Sequence, residues 1–440
     1  MANRNPFLNL LLIVISLISA LVVSEVALRV FSHSDIDGNI YIGNLRLRPF
    51  SLPVKNLELK IQEFITKEHS YGQYDPELGW SVRPSSQSEN GLYVSNAAGV
   101  RVAKVGQEIT PQAAPETLRI AIFGDSFTHG DDVPFEFSWG AILEHHLNRN
   151  GIKAEVLNLG GQGYGMDQAF LRWKKSGKPL KPHLVLFGFQ NSNIKRNMNI
   201  IRMLYSPDTG IHFSKPRYIL LPENNLGLIN SPSVKPEEIL EIFSDFNNWR
   251  LKQYEFFFQE ADYQMRPWHA SRLATFIMSG LTNKFSPRRK DYDFFAETSD
   301  SRQLAERIIE QFQREVVEAQ SRFIIVHLPS ENPLQNLLEG DPLDYQDFLD
   351  ELDSRYDLID PAPGLISQAK EESFEDLFAK NSSHYSPIAN RVIGEWIGNT
   401  LLDDNVLSFF CCGNASQGSP GSAALPADSS DRNVKKFDNS

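Results

Sequence analysis

From Asn5 to Ser24 the chain carries no charged residue, and Phe7 to Val23 is dominated by Leu, Ile and Val. A run of about 20 such residues matches the hydrocarbon thickness of a bilayer, whereas a buried core helix would show a polar face. The next stretch is polar and broken by Pro49, Pro53, Pro76, Pro84, Pro111 and Pro115, which interrupt regular elements. From Leu118 onward the pattern changes to short apolar runs alternating with helical periodicity. Strands are predicted at Leu118 to Phe123, Lys153 to Leu159, Leu184 to Phe189, Phe323 to Val326 and Tyr356 to Asp360. Helices are predicted where Trp139, Ile142, Leu143, His146 and Leu147, and then Leu304, Ile308, Phe312 and Val316, share a face. Ser386 and Pro387 supply an N-cap and first turn for a last helix carrying Ile388, Val392, Trp396 and Ile397. Such alternation predicts an α/β domain with a parallel sheet between helices and right-handed crossovers.

These patterns divide the chain into an N-terminal span at 1–30, a neck at 31–116, a domain at 117–403 and a Gly-, Ser- and Pro-rich tail at 404–440 expected to be disordered. Residues 198–302 are far longer than a crossover requires and read as an insertion. Its aromatics, Trp249, Tyr254, Phe256, Phe257, Phe258, Tyr263 and Trp268, fit either a helical lid over the carboxyl edge of the sheet or a small satellite core. A lid of this composition would suit sugar rings. In the neck, Trp80 is expected to pack on the domain, and no chemistry is assigned there. Arg4 and the α-amino group precede the apolar span, and no small-x-small cleavage site follows it. The expectation is an uncleaved single-pass anchor with its N-terminus cytoplasmic and the rest of the chain extracytoplasmic, a cleaved signal peptide being the alternative.

Charge narrows the partners. The 440 residues hold 43 Lys and Arg against 55 Asp and Glu, a net charge of −12, so nucleic acid is not an expected partner. The only two cysteines, Cys411 and Cys412, are adjacent and imply no disulfide framework. Ten histidines show no pair with convincing metal-ligand spacing, and no metal or cofactor is expected. His145 and His146 point to different helix faces, and His327, at a strand end, is a candidate for a supporting or substrate role.

The candidate chemistry lies at the carboxyl ends of the predicted strands. Gly124-Asp125-Ser126-Phe127-Thr128-His129-Gly130 follows the first strand, and the glycine permits the sharp turn that displays a serine nucleophile. Asn158-Leu159-Gly160-Gly161-Gln162-Gly163 follows the second, Gly188-Phe189-Gln190-Asn191-Ser192-Asn193 the third, and Asn381-Ser382-Ser383-His384 precedes the last helix.

These four blocks resemble those of the SGNH/GDSL hydrolase superfamily. The resemblance implies Ser126 as nucleophile and His384 as general base, with an oxyanion hole from Ser126, Gly163 and an Asn, preferably Asn193 with Asn191 in reserve. The chain departs from the family in its third block, which lacks Gly-x-Asn-Asp, and in its fourth, where Asn381 stands for the Asp of Asp-x-x-His. Three arrangements are open behind His384: a Ser126-His384 dyad, a triad completed by Asn381, or an acid such as Asp376 entering from elsewhere. The implied fold is α/β, three-layer α/β/α with a roughly five-stranded parallel sheet (flavodoxin-like). The implied function is an extracytoplasmic serine ester hydrolase acting on acyl, for instance acetyl, esters of envelope or extracellular polysaccharide. The alternatives are an O-acyltransferase using the same site and a catalytically impaired protein that binds acylated glycans.

Overall fold

The computed structural model describes residues 6–66, 70–207, 209–285, 292–380 and 382–403. The tail with Cys411 and Cys412, and Asn381, lie outside them. The first helix, α1 (Pro6–Phe31), holds an 18-residue stretch of mean hydropathy 2.6, buries none of its residues and is long and apolar enough to cross a membrane.

Seven strands form the central sheet: β1 (Val94–Ser95), β2 (Arg101–Val102), β3 (Leu118–Phe123), β4 (Ala154–Asn158), β5 (Leu184–Phe189), β6 (Arg322–His327) and β7 (Asp357–Ile359). Their order is β7-β6-β5-β3-β4-β2-β1, with β3 to β7 mutually parallel and the β1–β2 hairpin antiparallel at the edge. The five parallel strands are those the hydrophobic runs predict. Their order places the switch point between β3 and β5, and ligands of open α/β sheets bind at the carboxyl side of such a point.

Every residue of β3 and β5 is buried, because helices cover both faces of the strands. On one face Ala121, Phe123, Val185 and Phe187 join Phe170 of α4 (Met166–Arg172) and Ile308 and Phe312 of α7 (Asp300–Glu318), in a cluster where Phe312 packs on Phe123, Phe170, Phe187 and Phe323. On the other, Ile122 reaches Gly140 of α3 (Trp139–Arg149) so closely that a Cβ there would lie 2.6 Å from Ile122 Cδ1. A fully buried Arg119 is tolerated at the start of β3 because its guanidinium bonds Glu155 Oε1 (2.8 Å) and the carbonyls of Leu180 (2.7 Å) and Pro111 (3.1 Å).

The neck at 31–116 contributes β1 and β2 to the sheet, with Arg101 paired to Asn158. The insertion is only partly helical, holding an antiparallel pair at Arg217–Leu220 and Leu226–Ile229. Most of its aromatics close cores. Phe246 and Phe258 join Ile239, Phe243 and the neck residues Leu57 and Ile61 in a satellite cluster, with Trp249, Tyr254 and Tyr263 against it, while Phe256 and Phe257 pack on the main core. The insertion is tied to α4 by a buried ion pair between Lys215 and Asp167, and is braced internally by Glu255, whose carboxylate accepts the amides of Ile200 (2.8 Å) and Ile201 (2.9 Å).

Candidate active site

The turn after β3 is built around Gly124, whose φ is +155°. A Cβ there would stand 2.2 Å from Thr128 Oγ1 and 2.8 Å from the Gly188 carbonyl of β5, so only glycine lets the turn close against its neighbouring strand. Asp125 then caps the one-turn helix α2 (Ser126–His129), its Oδ1 accepting the Phe127 amide at 3.0 Å. Ser126 opens that helix at the mouth of β3.

The Ser126 hydroxyl donates to His384 Nε2 at 2.9 Å, and His384 Nδ1 donates to Asp132 Oδ2 at 2.6 Å. A carboxylate can only accept from Nδ1, so in the neutral imidazole Nε2 is the nitrogen that can take the serine proton. Burial acts to raise the Asp132 pKa, but hydrogen bonds from Ser382 (2.5 Å) and His384 outweigh it and hold the carboxyl below its ordinary range. The His384 ring lies edge-on to Phe127 at 5.4 Å, and its loop is pinned by a bridge between Phe378 and Tyr385 and by the Tyr385 hydroxyl on the Pro329 carbonyl at 2.6 Å.

Asp132, six residues after the nucleophile, therefore completes the chain of hydrogen bonds at Nδ1, an acid from elsewhere being one of the three arrangements open behind His384; Asn381 lies outside the described residues. Asp376 is exposed on another turn, where its carbonyl accepts the Ser386 hydroxyl. The signal for Asp132 was legible in principle: two acids follow Gly130, the left-handed residue (φ +81°) that ends α2, and Asp132 itself adopts φ +66°, a conformation Asp tolerates better than most side chains.

The loop bearing Asp132 is held from the neck. The buried Arg101 guanidinium donates to the carbonyls of His129, Gly130 (2.6 Å) and Val133 (2.6 Å), and it stacks over Tyr93, whose hydroxyl accepts the Asp132 amide at 2.8 Å. Beneath lies a second, buried chain: the Tyr71 hydroxyl meets His129 Nε2 at 3.0 Å, His129 Nδ1 donates to Asp131 Oδ1 at 2.6 Å, and Gln162 donates to Asp131 Oδ2 at 2.9 Å. Burial drives the His129 pKa below its ordinary 6.5, so the folded protein holds it neutral while the unfolded chain binds a proton as pH falls through that value. Stability carried by His129 is thus present above about pH 6.5 and lost progressively below it. Thermal unfolding followed from pH 8 to pH 5 is expected to show a fall in Tm that His129→Asn flattens; an unchanged slope in the variant would assign the acid sensitivity to other groups.

The oxyanion candidates separate. Gly163 lines the same cleft as Ser126 and His384, with φ +68° and Ile211 Cδ1 only 2.7 Å from where a Cβ would sit. Asn193 does not face it. Its side chain is buried, its Nδ2 donates to Asp125 Oδ2 (3.0 Å) and the Tyr164 carbonyl (3.2 Å), and its Oδ1 accepts the Gln190 amide (2.9 Å). Both amide hydrogens are spent, so Asn193 braces the nucleophile turn instead of offering a donor to substrate. Asn191 accepts from Gln190 Nε2 (2.7 Å) and Ser330 (3.2 Å) beside β6. Three residues beyond this block, Arg196 lines the cleft, and its Nη1 bonds Asp125 Oδ2 at 2.6 Å and the Tyr164 carbonyl at 3.0 Å.

The cleft encloses about 440 Å³, and its walls include Phe64, Trp80, Gln162, Arg202 and residues 209–213 of the insertion. Trp80 is fixed by its indole N–H on the Gln162 carbonyl at 2.8 Å. His327 takes no part: fully buried, it is saturated by Asp360 (2.8 Å) and the Tyr345 hydroxyl (3.0 Å), locking β6 to its neighbours.

No family model and no curated protein matches the sequence. Solved structures similar to part of the chain include a member of the lipolytic protein G-D-S-L family from Veillonella parvula DSM 2008, at 11% identity, covering 65% of this chain and 98% of that one with a TM-score of 0.31. A lipase/acylhydrolase from Enterococcus faecalis is 12% identical, covering 64% and 94% with a TM-score of 0.32. An acetylxylan esterase from Geobacillus stearothermophilus is 9% identical, covering 63% and 91% with a TM-score of 0.32.

Proposed function

We propose that this chain is a membrane-anchored serine ester hydrolase whose substrates are acyl esters of extracytoplasmic carbohydrate. The observation that carries the reading is the continuous chain Ser126 Oγ, His384 Nε2, His384 Nδ1, Asp132 Oδ2 at 2.9 and 2.6 Å, opening on a cleft of small-substrate size. In the proposed reaction Ser126 attacks the ester carbonyl as His384 takes its proton. The backbone N–H groups of Ser126 and Gly163 receive the oxyanion, and Asp132 stabilises the imidazolium. His384 returns the proton to the departing alcohol, and water, activated by the same imidazole, releases the acid and frees Ser126.

Two features support the membrane part. The α1 helix carries no charge from Pro6 to Ser24, and at its far end Glu25 accepts the Ser271 hydroxyl (2.8 Å) and the amides of Arg272 (2.8 Å) and Leu273 (2.7 Å), capping helix α6 (Arg272–Phe285). The α6 region then exposes Trp268, Phe276, Ile277 and Leu281 beside that junction. An apolar helix face next to the end of a spanning segment fits the lipid interface. In this reading the N-terminus is cytoplasmic and the catalytic cleft lies on the opposite side.

The test is acetate release by the full-length protein in nanodiscs from O-acetylated oligosaccharides, against Ser126→Ala as control. Release that depends on Ser126 is expected. Anchored, folded protein that leaves every acetyl ester intact would overturn the proposal, and acetyl groups moved to an added sugar without free acetate would reassign it as an acyltransferase.

A further inference from the structure

Arg202 is the unbalanced charge in the cleft. Its side chain is over nine-tenths buried, yet its Nε has no acceptor, and its contact is with the Tyr205 ring, 4.9 Å from the guanidinium carbon. Burial, and after it the guanidinium of Arg196 nearby, hold the Arg202 pKa down at about 10. The nearby carboxylates are already engaged. Asp125 takes Phe127 N, Asn193 and Arg196; Asp131 takes His129 and Gln162; Asp132 takes His384 and Ser382. Among the described residues none is left for Arg202. Its Nη2 lies 3.4 Å from the position a Cβ of Gly163 would occupy, which puts a cationic fork beside the glycine at the oxyanion position, in the cleft that holds Ser126.

A buried charge without a partner is strongly destabilising, and a guanidinium with free N–H groups matches the planar or tetrahedral oxygens of a carboxylate or phosphate. We propose that Arg202, with Arg196 beside it, forms a subsite for a carboxylate or phosphate carried by the ester substrate close to the scissile bond. The inference rests on the hydrolase reading above and narrows its substrates to anionic esters, such as acylated uronates or acylated sugar phosphates, over neutral ones such as acetylated glucose or xylose.

The experiment compares kcat/KM of the full-length protein for O-acetyl glucuronide, O-acetyl glucose 6-phosphate and neutral O-acetyl glucoside, in wild type, Arg202→Gln and Arg202→Lys. Wild type is expected to favour one of the charged esters at least tenfold, and which one identifies the anion. Arg202→Gln is expected to collapse that ratio at least tenfold, and Arg202→Lys to keep part of it. An equal loss for charged and neutral esters would make Arg202 an oxyanion donor or a structural residue and overturn the subsite, as would no loss at all. A binding arm separates this from the fate of the hydrolase reading and needs no change at Arg202. Calorimetry of Ser126→Ala with glucuronate, inorganic phosphate and glucose is expected to show binding of an anion only. Anion binding in a protein that hydrolyses nothing would keep the subsite and sink the hydrolase; no anion binding would sink the subsite even in an active esterase.

Discussion

Ser126→Ala is expected to lower kcat by roughly 10⁶-fold for whatever ester the protein turns over, because nucleophile and base act as a unit and removing one forfeits the contribution of both. A residual acceleration of about 10³–10⁴ over water should persist, carried by the cleft and the backbone donors of the oxyanion site. The fold should be unaffected. The Ser126 hydroxyl makes its hydrogen bond to His384, whose loop is held independently by Tyr385 on Pro329 and by the Phe378–Tyr385 bridge. Steady-state kinetics beside a thermal melt checks both halves: a drop of less than about 100-fold, a scale set by single oxyanion donors, would mean that Ser126 is not the nucleophile.

The second large effect belongs to Asp132. Asp132→Asn removes the charge that stabilises the imidazolium and allows the amide to favour the wrong His384 tautomer, a change that costs about 10⁴ in a buried triad. The Asp132 side chain is 40% exposed, so water screens part of its field, and roughly 10³–10⁴-fold in kcat is expected here. Asp376→Asn should leave the rate unchanged. KM should move little in Asp132→Asn, since the carboxylate stabilises a charge that develops only as the serine proton is transferred. If Asn381→Ala proves the damaging substitution and Asp132→Asn is silent, the geometry described here is not the catalytic one.

The parts of this molecule that were legible in the sequence are those fixed by local periodicity. Five apolar runs gave five parallel strands with bounds close to those observed, since β3 and β5 are buried throughout and the charged residues of the others, Glu155, Arg322 and Asp357, stand at or next to the strand starts. Ser126 and His384 were legible because each sits at a punctuated junction, the glycine turn after β3 and the Ser386-Pro387 start of helix α8 (Pro387–Asp403). What escaped reading depends on contacts distant in sequence. Arg101 clamps carbonyls 28 to 32 residues away, and nothing in its own surroundings marks it as the brace of a catalytic loop. Asn193 looked like an oxyanion donor by position, and only the packing of Asp125 and Tyr164 against it shows that its hydrogens are spent. The aromatics of the insertion fitted either a lid or a satellite core, and what decides for the core, the clustering of Phe246 and Phe258 with Leu57 and Ile61 of the neck, links residues far apart in sequence.

Activation of Ser126 by His384 and Asp132 is read most directly from the rate at which a neutral fluorophosphonate modifies the full-length protein, with the adduct mapped by peptide mass spectrometry. A single adduct on Ser126 is predicted, absent in Ser126→Ala and slowed in Asp132→Asn in proportion to its loss of ester turnover. A folded wild-type protein that takes no adduct, or one labelled at Ser126 equally fast with and without the Asp132 carboxylate, would contradict it.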